Sequence, residues 1–399
     1  MYDIAVIGGG ASGLVCAIRA KQVNEKLKIC ILEALPRIGK KILVTGNGRC
    51  NITNLNSDSA IYNSMEFTRF AMETCSPKRV LVFFESIGLK CVEESQGRVY
   101  PMSNNSSSVL DCIRNEIEHL GIEVITDFKV DEITKTKDCF KLNNSITAKK
   151  IIISTGGKSS SCHGSDGSGY GLLKKAGHRI VEQYPALVQL KTEEKTKMLK
   201  GVRVKAQVRL VCANEVVDES GGEVLFTDYG LSGIAIMDVS RKLYDRKCSC
   251  VLDALPNMKR NEISEFINRC KKNNPDNAVE NIISGMLPAK LSQYIIQGLG
   301  INPKTPAGQM TGNKLNEIIE RIKNLTFKIN ETTGFGNAQI TVGGADVKQF
   351  NPKTMESKLV KGLYCAGEIL DVDAPCGGYN LQWAWSSGLL AGESMAEMK

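Results

Sequence analysis

The apolar positions of this chain fall into short runs divided by glycine-rich and polar turns, and their period changes along its length. Ile4-Ala5-Val6-Ile7 is continuously apolar, the pattern of a strand buried on both faces of a parallel sheet. After a glycine turn, residues 14–23 read as an amphipathic helix, and Lys28-Ile29-Cys30-Ile31-Leu32 reads as a second buried strand. A hairpin-like stretch from Phe128 to Ile146 leads into a third strand within residues 149–157, and Gly362-Leu363-Tyr364-Cys365 supplies another. Val202–Cys212 and Glu223–Thr227 are strand-like. Ile263, Phe266 and Ile267 then share a helical face, as do Leu315, Ile318, Ile319 and Ile322. Pro256, Pro288, Pro303 and Pro306 punctuate these helices, and residues 326–340 are extended again. Gly377-Gly378 opens a last helix with small residues at Ala384, Gly388 and Ala391.

The first turn carries chemistry. Gly8, Gly10 and Gly13 occupy the three glycine positions of G-x-G-x-x-G, between a strand and a helix. Gly8 permits the tight turn, Gly10 lets a pyrophosphate touch backbone, and Gly13 lets helix pack on strand. Ala11 and Ser12 begin the helix, whose N-terminal N–H groups and dipole favour phosphate. Glu33 ends the second strand 20 residues past Gly13, where ribose hydroxyls need a carboxylate acceptor. This is a dinucleotide site, and the fingerprint by itself does not separate NAD from FAD.

Composition narrows the class. The 399 residues, 42% hydrophobic and 24% charged, describe a globular protein of two or three domains. No apolar run approaches the roughly 18 residues of a membrane span, and the N-terminus enters a strand without a basic leader. The net charge of +8 is spread along the chain, and its densest stretch, Lys191 to Arg209, contains no aromatic residue. A nucleic-acid surface is therefore not expected. The 14 cysteines lack any CxxC pair, which argues against zinc ribbons and dithiol redox centres. They are expected to be almost all free, buried thiols in a reducing cytoplasm, with no metal site.

Further segments identify a family. They are Gly39-Lys40-Lys41, Thr45-Gly46-Asn47-Gly48-Arg49-Cys50-Asn51-Ile52-Thr53-Asn54, Thr155-Gly156-Gly157, and Leu225-Phe226-Thr227 with Gly230-Leu231-Ser232-Gly233. Thr341-Val342-Gly343-Gly344, Met355-Glu356-Ser357-Lys358, Ala366-Gly367-Glu368 and Gly377-Gly378-Tyr379-Asn380-Leu381-Gln382 complete the set. With them the chain resembles the HI0933-like flavoproteins, FAD-dependent oxidoreductases that include enone reductases of the bile-acid type and amine oxidases of the aminoacetone type. The sequence departs from that pattern at Lys158 to His163, Gln189, Asp228 and Ile234.

The resemblance implies an α/β fold: a Rossmann-like FAD-binding domain with an inserted β-rich, split-barrel-like domain and a small helical subdomain. The FAD domain would comprise residues 1–189 and 342–399, the β-rich domain 190–255 and 326–341, and the helical subdomain 256–325. Non-covalent FAD would be held by Gly8, Gly10, Ala11, Ser12, Gly13, Glu33 and Lys40. Val130, Thr155, Gly156, Gly157, Gly367, Glu368 and Asp373 would also contribute. Asn47, Gly48, Arg49 and Cys50 would lie at the flavin ring with Gly378, Tyr379, Asn380 and Leu381. There Arg49 would support negative charge, Asn51 would orient by hydrogen bonds, and Cys50 would be a packed thiol.

No second G-x-G-x-x-G follows another strand, so NAD(P)H would act only as a transient co-substrate. The implied partner is a small organic molecule, neither nucleic acid nor membrane. An RNA-modifying flavoenzyme and a non-catalytic redox sensor are the readings from other classes. His178, at an apparent helix end, is expected to cap carbonyls. His163, Tyr170, Tyr229 and Tyr379 remain open as proton carriers.

Overall fold

Continuous apolar runs become the parallel core of a seven-stranded sheet in the computed structural model, which describes residues 1–397. Tyr2–Ile7 lies between Ile29–Leu32 and Ile146–Ile153, in parallel register with Val6 opposite both Ile31 and Ile152. Glu123–Ile125 extends the sheet beyond Ile29–Leu32. On the other side, Ile146–Ile153 shares one edge between two partners. Its start pairs with the antiparallel strand Phe140–Leu142, and its end pairs with the parallel strand Leu363–Cys365. Ile4, Ala5, Val6, Ile151, Ile152 and Ile153 are fully buried, as strands covered on both faces require.

The first helix, Ala11–Val23, departs from the amphipathic expectation. Eight of its residues are buried, from Ser12 to Ala20. The cause lies at the far end of the chain, in the helix Tyr379–Ala396. A Cβ at Gly388 would lie 2.5 Å from the Ser12 carbonyl oxygen, and one at Gly392 would lie 2.6 Å from that of Cys16. Both glycines let the two helices touch backbone to backbone, so the first is covered on both sides. Two indoles anchor the last helix: Trp383 Nε1 donates to the Gly367 carbonyl at 3.1 Å and Trp385 Nε1 to that of Ile52 at 2.9 Å.

These elements belong to a unit made of residues 1–185 and the described residues from Gln339 onward. Residues 186–338 form a second compact unit. Its centre is a closed six-stranded barrel, in ring order 190–192, 230–232, 215–226, 203–212, 248–253 and 325–332. Ala206, Val208, Leu210 and Cys212 alternate inward along one barrel strand. The helices Arg260–Asn273, Val279–Ser284, Ala289–Gln297 and Gly312–Lys323 share one apolar core with the barrel. One cysteine pair departs from the free-thiol expectation. Cys212 and Cys248 stand directly opposite on adjacent antiparallel strands and form a disulfide, 36 residues apart in sequence. Among the described residues, no helix is long and apolar enough to cross a membrane.

Candidate functional site

At the C-terminal ends of the parallel strands, three turns converge: Gly8–Gly13, Ser154–Gly157 and Ala366–Glu368. The glycines of the first turn are not equivalent. Gly8 has φ of +104°, and a Cβ there would lie 2.7 Å from the Ser154 carbonyl oxygen. At Gly13 a Cβ would lie 2.2 Å from the Gly8 oxygen and 2.5 Å from Ser154 Oγ. A Cβ at Gly10 would meet only the Ser154 carbonyl oxygen, at 3.9 Å. Gly8 and Gly13 are required by the protein itself, whereas Gly10 faces open space. Beside it, the first N–H groups of the helix have no intrahelical acceptor. The arrangement suits an anion in contact with backbone.

Glu33 is 9% exposed and accepts from the N–H of Gly9 at 2.8 Å and of Leu35 at 2.9 Å. Each carboxylate oxygen keeps a further lone pair for a hydroxyl donor. Thr155 Oγ1 is buried without a hydrogen-bond partner. Gly156 and Gly157 leave no room for side chains, because Cβ atoms there would lie 2.8 Å from Ser165 Oγ and 2.4 Å from Thr341 Oγ1. Glu368 holds Lys41 Nζ at 2.6 Å with one carboxylate oxygen and accepts the Thr341 N–H at 2.7 Å with the other. Ser12 Oγ donates to the Ala366 carbonyl at 3.2 Å, tying the first turn to the third. Lys40 begins the short helix Lys40–Val44, and Val130 is buried among apolar neighbours.

The loop 45–52 runs through left-handed backbone at Gly46, Asn47, Gly48 and Cys50. Gly48 has nothing within 4 Å of a Cβ position. Arg49, expected to support negative charge at the ring, is held by three protein partners. It is ion-paired with Glu94, donates to Asn104 Oδ1, and lies 3.9 Å over the Tyr100 ring. Its planar fork thus pins the loop to the three-stranded sheet of Thr53–Asn54, Arg98–Pro101 and Cys91–Glu93.

Asn51 is buried, and its Oδ1 has no partner. A Cβ at Gly378 would lie 2.9 Å from that oxygen, so loop and C-terminal turn close on each other there. Cys50 is fully buried, and burial pushes its thiol up to about 12. Asn380 is tied to its own loop. Its amide bonds Ala374 N at 2.9 Å and Ala374 O at 2.8 Å, so it clamps its own loop. The Asp373 N–H donates to Asn63 Oδ1 and its carbonyl accepts the Asn63 N–H, Tyr379 accepts from Tyr62 Oη at its carbonyl, and Leu381 packs on the core.

Sequence reading missed Tyr62, Asn63, Glu94, Tyr100, Asn104 and Gln382 as site-building residues. Gln382 bonds Thr53 Oγ1, the Cys75 carbonyl at 2.9 Å and Ser386 Oγ at 2.7 Å. The conspicuous motif Gly-Gly-Tyr-Asn-Leu-Gln pointed to the last of these, but nothing local pointed to the others.

His178 is not a carbonyl cap. Its ring is buried, stacks on Phe350 at 5.0 Å, and places Nε2 2.8 Å from Ser357 Oγ. Burial holds its pKa below the ordinary imidazole value. Below about pH 6.5 the unfolded chain therefore takes up the proton first, and stability falls with falling pH. Melting temperatures at pH 7.5 and 5.5 should drop more for the wild type than for His178→Phe. Equal drops would remove His178 as the acid-sensitive group.

A family model described as HI0933-like protein Rossmann domain matches residues 2–394. A Clostridium scindens protein named 3-dehydro-bile acid delta(4,6)-reductase is 36% identical over 408 residues, covering 100% of each chain. A Haemophilus influenzae protein named ribosomal RNA dihydrouridine synthase is 28% identical, over 96% of this chain and 95% of its own. Among solved structures, a flavocytochrome c3 fumarate reductase in an open conformation shares the fold. Its TM-score is 0.53 at 14% identity, over 99% of this chain and 78% of that one.

Proposed function

This chain belongs to the HI0933-like family and is an FAD-dependent oxidoreductase; from that premise we propose that it reduces a carbon–carbon double bond conjugated to a carbonyl in a small organic molecule, with NAD(P)H as donor. The observation that carries the reading is the full-length match to a reductase named for a 3-oxo bile acid unsaturated at positions 4 and 6. Such a double bond, conjugated to its carbonyl, accepts a hydride at the far carbon. When bound, FAD would supply the hydride-transfer chemistry for such a reduction.

The chain's own residues bind and orient. The N–H groups at Ala11, Ser12 and Gly13 would receive the pyrophosphate, and Glu33 the adenosine ribose hydroxyls. Thr155 Oγ1 and Asn51 Oδ1, both buried without partners, would gain them from the dinucleotide. Asn47, Gly48 and Gly378 would line the ring. The N-terminus of the helix Tyr379–Ala396 would favour negative charge there. Lys40, Val130, Asp373 and Leu381 would flank the cofactor. Arg49 is a positioning residue, because its guanidinium is spent on the loop.

A second reading rests on the match to the ribosomal RNA dihydrouridine synthase. The uracil double bond is also conjugated to a carbonyl, so the redox chemistry is shared and only the partner differs. The small-molecule reading is preferred because its relative is more similar, at 36% against 28% identity.

Two variants test the loop. Cys50→Ser should leave turnover within about tenfold, since a thiol held near 12 supplies no thiolate at neutral pH. Arg49→Lys should retain FAD but slow turnover by about tenfold or more, because an ammonium cannot serve Glu94, Asn104 and the Tyr100 face together. An inactive Cys50→Ser beside an unimpaired Arg49→Lys would reverse these roles. For the reading as a whole, heat-released cofactor should chromatograph as FAD, and NADH or NADPH should bleach the bound flavin anaerobically. Release of FMN, or bleaching by neither nucleotide, would overturn the cofactor or the donor.

A further inference from the structure

One nucleophile–base pair takes no part in the chemistry above. Cys162 and His163 end a single tight turn, Ser161–His163, flanked by left-handed backbone at Ser160 and Gly164. Cys162 Sγ lies 3.1 Å from His163 Nδ1; the cysteine is exposed and the histidine half-buried. The His163 N–H donates to the Ser160 carbonyl at 2.8 Å and the Gly164 N–H to that of Ser161 at 3.0 Å, which holds the two side chains on one turn. Among the described residues, Cys162 is the one exposed cysteine, while Cys16, Cys30, Cys50, Cys75, Cys250 and Cys365 are buried. The turn also abuts the nucleotide corner. A Cβ at Gly164 would lie 3.1 Å from Leu35 Cδ1 and 3.9 Å from Glu33 Oε1.

Exposure and a neighbouring base are the two conditions that make a thiol reactive, because the thiolate is the attacking species and must reach its target. We propose that Cys162, with His163 as its base, is a modification site for low-molecular-weight disulfides. The thiol proton passes to His163 Nδ1, and the Cys162 sulfur attacks one sulfur of the reagent RSSR. The reagent's S–S bond breaks as the mixed disulfide forms, and the leaving thiolate takes the proton. Cys162–SH and RSSR thus become Cys162–SSR and RSH, with the protein sulfur oxidised and the departing sulfur reduced. The group R then stands on the turn that abuts Glu33.

The test uses the FAD-loaded protein and oxidised glutathione as the probe, with peptide mass mapping over time. Cys162 should gain the glutathionyl group about tenfold faster than the partly buried Cys112 and Cys139, and His163→Gln should slow Cys162 about fivefold or more without changing those two. Cys162→Ser should abolish the fast phase. Both variants should keep the wild-type circular dichroism spectrum and bound FAD, which separates a lost base from a lost fold. The inference is overturned if Cys162 reacts no faster than Cys112 and Cys139, or if His163→Gln leaves its rate unchanged.

Discussion

Gly10→Ala should yield a folded apoprotein that no longer retains FAD. A Cβ at this position meets only one protein atom, at 3.9 Å, and Gly10 sits at φ of −91°, which any residue adopts. As a helix N-cap, Ala in place of Gly costs on the order of 1 kcal/mol or less. The methyl group would instead occupy the space in which a pyrophosphate approaches backbone. Loss of that approach should weaken FAD by about 100-fold, or ~3 kcal/mol. Gly13→Ala provides the contrast. Its Cβ would press on the Gly8 carbonyl at 2.2 Å and on Ser154 Oγ at 2.5 Å, so folding itself should fail. Circular dichroism, the apoprotein melting temperature and an FAD titration separate the two. A Gly10→Ala protein with wild-type FAD affinity would move the pyrophosphate away from this turn.

Glu33→Ala should damage both stability and cofactor binding. Its carboxylate accepts the N–H groups of Gly9 and Leu35, and it is 9% exposed. Removing it strands two donors, at roughly 1–3 kcal/mol each. Apoprotein stability should fall by about 2–4 kcal/mol in denaturant titration, and FAD affinity should fall further through the lost ribose acceptor. A stable apoprotein with weakened FAD binding would show that Glu33 serves the ligand alone. An unstable one with intact affinity would show a role in the turn alone.

The nucleotide turn was legible because its demands are local. A strand, three spaced glycines, a helix start and an acid 20 residues on all lie within Tyr2–Glu33. The Thr155-Gly156-Gly157 and Gly-Gly-Tyr-Asn segments were legible through family resemblance. What escaped depends on contacts between distant parts of the chain. Gln382 meets Thr53 across 329 residues, and Trp385 meets the Ile52 carbonyl across 333. The partners of Arg49 were not legible because Glu94 and Asn104 lie 45 and 55 residues away. The first helix looked amphipathic because Gly388 and Gly392 bring cover that no helical period records. Asn380 sat in a conspicuous motif, yet its amide is consumed by Ala374 six residues upstream. The Cys212–Cys248 pair follows from the register of two barrel strands, which spacing along the chain does not reveal.

The most direct test of the account is a single-turnover experiment under anaerobic conditions. Holoprotein reduced with one equivalent of dithionite is mixed, in separate runs, with a steroid 4,6-dien-3-one and with ribosomal RNA containing unmodified uridine. Flavin absorbance and product mass are recorded. The account predicts that the steroid restores the oxidised flavin spectrum and gains two hydrogens in equal amount, while the RNA leaves the flavin reduced. Reoxidation by RNA alone, with two hydrogens on uridine, would contradict the small-molecule assignment.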